Sequence, residues 1–267
     1  MENRRAEWLI PALLALGAGA ALWYYWVQAN RPAPQPVVAS EPRVEEPVSE
    51  QGPEHPVPEP GPASGEAPRL VPLPPLERSD EYFKLALAEL FGDALRGLLA
   101  ESRLIERIVA TVDNLPRDRV SERIRPIGHI DGAFVVDSQG DDGEYTISAE
   151  NYDRYDFVVG LFDGADLDAI AETYRRYYPL FQNAYVDLGY PDGYFNDRLV
   201  EVIDHLLATP DVDEPAALVR PNVLYEFADP ELESLSSGQK LLLRMGSEHR
   251  SRIKQRLREF RDIVTQL

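Results

Sequence analysis

The chain has 267 residues, no cysteine and a formal net charge of −19, from 46 acidic against 27 basic side chains. So acidic a chain repels a phosphate backbone, which argues against nucleic acid as a partner. The lack of cysteine excludes disulfides, thiolate-bound zinc and a thiol nucleophile.

Residues 1–7 are polar, and residues 8–27, WLIPALLALGAGAALWYYWV, carry no charge. As a helix rising about 1.5 Å per residue this run spans roughly 30 Å, the hydrocarbon thickness of a bilayer. A cleaved signal peptide is the rival reading, since Ala18-Gly19-Ala20 and Val27-Gln28-Ala29 resemble cleavage sites. The run is longer than a signal core and ends in Trp23-Tyr24-Tyr25-Trp26, rings suited to the headgroup level, which favours an uncleaved anchor. Arg4 and Arg5 precede the span, and only Arg31, Arg43 and Arg69 follow it over a long stretch, so the N-terminus is expected in the cytoplasm and the rest outside. Ala15 and Gly19, four apart, offer a close-packing face for a homodimer.

Residues 28–76 read as a disordered tether. Residues 32–76 hold fourteen of the 23 prolines, with glutamates between them and no extended apolar run. Proline fixes φ and removes donors, so the stretch favours extended polyproline-like conformations, with a reach approaching ~140 Å when taut. A bacterial inner-membrane protein with a periplasmic C-terminal domain fits this layout, and no eukaryotic sorting signal competes with it.

Residues 77–267 are long enough for one sizeable core. Ser79 followed by Asp80-Glu81 reads as a helix start, and apolar residues then recur at helical spacing through YFKLALAELFGDALRGLL. A second helix, LIERIVATV, ends before Pro116. Phe134-Val135-Val136 and Tyr145-Thr146-Ile147, around a polar glycine-containing turn, read as a β-hairpin. Helix returns in NYDRYDFVVGLF and in LDAIAETYRRYYPLFQNAYVDLG. In the second of these, Leu167, Ile170, Tyr174, Tyr178, Phe181, Tyr185 and Leu188 form one stripe, Pro179 is expected to kink it, and Gly189 to stop it. Pro191-Asp192-Gly193 makes a turn flanked by Tyr190 and Tyr194, and the next helix opens its apolar face at Phe195. Residues 222–227 suggest a third strand. Two helices close the chain, from about Ser237 and Ser247, with Gly246 between them. The expected fold is mainly α with a small β-hairpin or three-stranded element.

The segments VATVDNLPR (109–117), YYPLFQNAYVDLGYPDGYFNDRLVEVIDHLL (177–207) and RPNVLYEFADPELESLSSGQKLLLRMG (220–246) resemble the bacterial family catalogued as domain of unknown function 3014. That resemblance implies the anchor, tether and domain layout, and no activity.

Chemistry has few footholds. Asp197, Glu201 and His205 fall at i, i+4 and i+8, a spacing that could hold a divalent metal or pair an acid with a base, and hence serve an envelope hydrolase. The competing reading is a solvated helix face. HExxH, G-x-S-x-G, calcium loops and glycine-rich phosphate cradles are absent, so no cofactor is expected, and Ser236 or Ser237 reads as a helix cap rather than a nucleophile. Residues 240–267 carry eight basic against three acidic side chains, whereas 77–239 carry fourteen against 34. The C-terminal helix therefore either docks on its own acidic domain or presents Arg252 and Arg256 to a partner. Nine tyrosines lie between 145 and 194, and Tyr190 and Tyr194 are the candidates for contact with a protein or glycan. The leading expectation is a non-catalytic module that binds another envelope component.

Overall fold

The structure is a computed structural model and describes residues 52–58, 72–93, 95–128, 132–139 and 144–266. The stretches expected as a cytoplasmic N-terminus (1–7) and a membrane span (8–27), and most of the expected tether, lie outside the described residues. Among the described residues no helix is long and apolar enough to cross a membrane.

Among these residues nine α-helices and four short strands follow in order: α1 (Asp80–Phe91), α2 (Leu104–Asn114), β1 (Val136–Gln139), β2 (Glu144–Ile147), α3 (Glu150–Asp153), α4 (Asp156–Asp163), α5 (Leu167–Asp187), α6 (Phe195–Leu207), β3 (Ala217–Val219), β4 (Glu226–Phe227), α7 (Pro230–Glu233), α8 (Ser237–Arg244) and α9 (Ser247–Val264). The main core lies where α1, α2, α5, α6 and the end of α9 meet, around Phe83, Ile105, Val109, Phe181, Phe195 and Val264. Its aromatic rings interlock. Phe181 and Phe195 stack with centroids 5.6 Å apart, while Phe83 meets Phe181 and Tyr177 edge-on.

Helix α5 is the spine of this core. Asp166 caps it by accepting from the amides of Asp168 and Ala169, and it continues unbroken through Pro179, whose missing N–H leaves the Arg175 carbonyl without its usual donor. Leu167, Tyr174, Phe181 and Tyr185 are buried as the stripe requires, and Tyr177 joins them. Leu188 departs from the stripe and is exposed.

Several boundaries differ from expectation, each for a local reason. The first helix stops at Phe91 because Gly92 takes φ +75°, so the run to Leu99 is not one helix. The helix expected over 151–162 breaks at Arg154-Tyr155 into α3 and α4. Buried Asn151 uses its side chain on the hairpin instead, accepting from the Val135 amide and donating to the carbonyls of Val135 and Ser148. The expected three-stranded element is a four-stranded antiparallel sheet in the order β1-β2-β3-β4. Tyr145 pairs with Leu218, and Leu218 with Phe227, so the third strand is Ala217–Val219 and only Glu226–Phe227 of the stretch 222–227 is strand. The sheet buries Ile147, Leu218 and Phe227 against Leu243 of α8.

The compact unit also begins at about residue 51 rather than 77. Residues 52–58 lie on the domain as a strap, and Val57, Leu73 and Leu76, from the stretch read as tether, pack against the main core.

Helix α8 is seated by its own free donors. The amides of Ser237 and Gly238 reach the carbonyls of Arg117 and Leu115 just past α2, at 2.8 and 3.0 Å. Ser236 and Gln239 complete a capping box behind them. So close an approach needs glycine at 238, where a Cβ would meet Leu206 Cδ2 at 2.6 Å and Leu115 Cβ and O at 3.2 Å. Gly238→Ala should therefore destabilise the domain by about 1–2 kcal/mol, despite alanine's higher helix propensity, lowering the thermal midpoint by several degrees.

Glu233 links sheet and helix, accepting from the Phe227 amide (2.9 Å) and from Lys240 Nζ (2.7 Å). Burial pushes its pKa up, but the Lys240 and Phe227 hydrogen bonds and the nearby Arg244 outweigh it and hold the carboxyl below its ordinary value. A depressed folded pKa stabilises above the unfolded pKa, and that gain is lost as pH falls through the folded value. Glu233→Gln should cost about 1 kcal/mol at pH 7, where solvent screens part of the interaction, and much less at pH 3, measured by urea unfolding at both.

Candidate functional site

The sequence from Gly189 to His205 forms the joint between α5 and α6 and the length of α6, and most of the candidate residues sit on it. The turn is held from beneath by Gln182. Its Oε1 accepts from the Phe195 amide (2.8 Å) and from Tyr178 Oη (3.1 Å), and its Nε2 donates to the Gly193 carbonyl (2.7 Å). Tyr190 folds back and stacks on Tyr185, with centroids 4.6 Å apart.

Beside the joint lies a buried carboxylate that sequence reasoning missed. Asp113, 2% exposed, accepts from Arg198 Nε (3.0 Å), Arg117 Nη2 (2.8 Å) and Tyr190 Oη (3.3 Å), while Arg198 Nη2 also donates to the Asp113 carbonyl (3.0 Å). Arg198 reaches Glu201 as well, at 2.7 Å. Burial pulls the Arg198 pKa down, yet Glu201 and Asp113 together raise it. The signal was present in the pattern: Asp113 follows Ile105 and Val109 at intervals of four, a charge on an apolar stripe. It fastens α2 to α6 and closes the α5–α6 turn.

Asp197, Glu201 and His205 lie along one regular helix as expected, but each serves a different partner. Asp197 accepts two backbone amides, from Glu54 (3.0 Å) and His55 (2.7 Å). Glu201 pairs with Arg198, and His205 Nε2 lies 2.8 Å from Ser236 Oγ at the cap of α8. Among the described residues no three histidine, aspartate or glutamate side chains converge closely enough to hold a metal ion.

Asn196, fully buried, completes the strap's attachment. Its Nδ2 donates to the carbonyls of His55 (2.9 Å) and Val264 (3.1 Å), and its Oδ1 accepts from Tyr174 Oη (3.0 Å). Burial, aided by nearby Tyr178 and Asp197, pushes the Tyr174 pKa well up, which keeps this hydroxyl a donor. For Tyr178 burial likewise dominates and raises the pKa to about 12.

On α9, Arg252 pairs with Asp163 (2.6 Å), and Arg256 donates to the carbonyls of Phe162 and Ala165 and to Glu259. These two arginines close the C-terminal end of α4, where free carbonyls and the helix dipole favour cations. Arg261 makes a two-pronged contact with Asp204 of α6. The basic helix thus docks on its own acidic domain. Tyr194, the cap residue just before α6, is exposed.

A different surface is apolar and open. The turn between β3 and β4 carries Val223 and Leu224, 77% and 71% exposed; Val219 of β3 is exposed too, and the ring of Tyr225, which follows Leu224, meets that of Phe134. The Tyr225 ring meets Tyr145 edge-on and lies under the Arg220 guanidinium, 5.2 Å from its centroid.

Fold and site together define a mainly helical domain with a small antiparallel sheet, whose described polar clusters fasten its elements to one another. The family model described as Protein of unknown function (DUF3014) matches residues 104–261, more than half of the chain, and the chain belongs to this family. The match runs from the start of α2 into α9 and leaves α1 and the docked strap outside it. No curated protein and no solved structure matches the chain.

Removing the carboxylate at 113 leaves the partly buried Arg198 with Glu201 and the main-chain carbonyl of residue 113. Asp113→Ala should cost about 3 kcal/mol, the low end for breaking a buried pair, read as a lower denaturant midpoint at unchanged slope.

Proposed function

We propose that the chain is a single-pass protein of a bacterial inner membrane, anchored by residues 8–27. Its periplasmic domain binds another envelope protein and catalyses no reaction. Support for the placement comes from the charge-free run, the arginines before it and the proline-rich stretch after it. Support for binding comes chiefly from one observation: Val223 and Leu224 stand out at the tip of the β3–β4 turn, left open by the packing of the described residues. Two adjacent aliphatic side chains held this open form an exposed apolar patch of the kind that marks a protein contact.

The chemistry of this surface favours a protein over a glycan. Sugar rings stack on open aromatic faces, whereas here Tyr225 is met edge-on by Tyr145 and covered by Arg220. At the α5–α6 joint Tyr190 is stacked and hydrogen-bonded and Tyr194 is 37% exposed, about half the exposure of Val223 and Leu224, so the sheet is the better-favoured contact. Because Asp197, Glu201 and His205 are each committed to separate groups, no observation favours the hydrolase or metal-dependent alternative.

A photoreactive residue at position 224 of the full-length, anchored protein should give one recurrent protein adduct in cells. Val223→Asp should abolish that adduct while shifting stability by less than about 0.5 kcal/mol, since the position is exposed. Scattered adducts, or adducts indifferent to the aspartate, would overturn the reading.

A further inference from the structure

Residues 52–58, Gly-Pro-Glu-His-Pro-Val-Pro, meet α6 from about 140 positions away in sequence, through hydrogen bonds that engage their backbone. The segment bends at Glu54-His55, which turns two consecutive amides onto the two oxygens of Asp197, and the His55 carbonyl accepts from Asn196. Burial alternates along it. Pro53, His55 and Val57 are partly covered while Glu54, Pro56 and Pro58 are exposed, and Val57 packs against the main core.

The receiving side is set independently of what it holds. Asn196 is fully buried, and Tyr174 Oη and the Val264 carbonyl fix its side chain with one donor proton left for the segment. Asn196 and Asp197 belong to the first turn of α6, inside the stretch 104–261 that the family model matches, whereas residues 52–58 lie outside it. A site built on a regular helix and filled through main-chain groups takes any segment that offers two consecutive N–H groups, a carbonyl and an apolar residue in the right order. Proline suits the place after the second amide, because it restricts the unbound segment to extended conformations.

The resident meets these demands imperfectly. Glu54 is itself acidic and its amide lies 3.0 Å from the Asp197 carboxylate, on a domain with 34 acidic against fourteen basic side chains over 77–239. A lysine or arginine in that place exchanges repulsion for attraction. We propose that Asn196, Asp197 and the adjoining edge of the main core form a binding site for an extended segment of another protein. That segment carries in succession a basic residue, a second residue with a free N–H, proline and an aliphatic residue, and it displaces residues 52–58. A second copy of this chain brings the same Glu54, and gains nothing over a resident already tethered at high effective concentration. Binding at this site does not depend on Val223 and Leu224. Because the resident competes, the apparent affinity for an incoming segment falls with the fraction of time the site stands open.

The test uses the full-length chain and two synthetic peptides blocked at both ends: the sequence of residues 52–58, and the same sequence with Glu54→Lys. A chain carrying His55→Pro and Val57→Asp should bind the Glu54→Lys peptide at least about tenfold more tightly than the unmutated chain does, and adding Asp197→Ala should remove that binding. The Glu54→Lys peptide should bind about threefold more tightly than the natural peptide at low salt, with the gap closing at high salt. On the unmutated chain, the Glu54→Lys peptide at millimolar concentration should speed amide exchange at Glu54 and His55 and leave the rest of the domain unchanged. The proposal fails if the doubly substituted chain, with its thermal midpoint retained, takes up no peptide or takes it up equally after Asp197→Ala. If that chain does not fold, unchanged exchange at Glu54 and His55 in the unmutated chain overturns the proposal instead. Equal binding of the two peptides at low salt removes the basic partner.

Discussion

Three consecutive residues in the first turn of α6 hold this domain together. Successive helical residues point about 100° apart, so Phe195, Asn196 and Asp197 fan out in three directions from one turn. Phe195 enters the aromatic core and stacks on Phe181. Asn196 uses both of its donors and its acceptor, taking a proton from Tyr174 and giving protons to the last residue of α9 and to the strap. Asp197 faces outward and takes the strap's amides. A carboxylate at the third helical position ordinarily turns back to its own cap. Here the strap's two amides take it instead, while Gln182 from α5 serves the Phe195 amide.

This arrangement explains what the sequence disclosed and what it hid. Helices were legible because their apolar residues recur with the helical period, and their stops because Gly189 and Pro116 carry local conformational cost. The seat of Ser236 at a helix cap was legible for the same reason, since a cap is a short-range hydrogen bond. Strand β3 escaped because three residues give no period, and its pairing to Tyr145 and Phe227 is decided by residues far along the chain. The strap escaped because it is bound through its backbone, so no side-chain pattern announces it. Asp197 stands out in the sequence as an outward carboxylate, while the strap, Arg198 and Ser236 that Asp197, Glu201 and His205 each meet were not legible: spacing on one helix says which groups share a face and nothing about what approaches that face.

The charge asymmetry follows similar logic. A basic final helix on an acidic body could serve a partner, yet its arginines meet acids and carbonyls of α4 and α6. Exposed pairs of this kind each contribute only tenths of a kcal/mol to about 1 kcal/mol, so they orient the helix more than they hold it. The holding is done by Val264, Phe260, Ile253 and Leu257 in two apolar clusters. Docking leaves the rest of the domain strongly acidic, which disfavours anionic surfaces as its target.

The tyrosine excess has a related explanation, and it bears on where a partner could sit. In a domain of short helices the core must cross polar helix ends, and a tyrosine can bury its ring while its hydroxyl satisfies a group at the boundary. Tyr174 does this towards Asn196, Tyr177 towards the Tyr82 carbonyl and Tyr178 towards Gln182. Tyr152 packs beneath Gly246, where φ of +87° turns the chain into α9 and a Cβ would strike the ring at 3.0 Å. Rings so engaged are not free to stack on a ligand. The most exposed large apolar side chains among the described residues are aliphatic, Val223 and Leu224 at the tip of the β3–β4 turn, and a surface of that chemistry gains affinity by excluding water from apolar area, which another protein can supply and a hydrated sugar cannot.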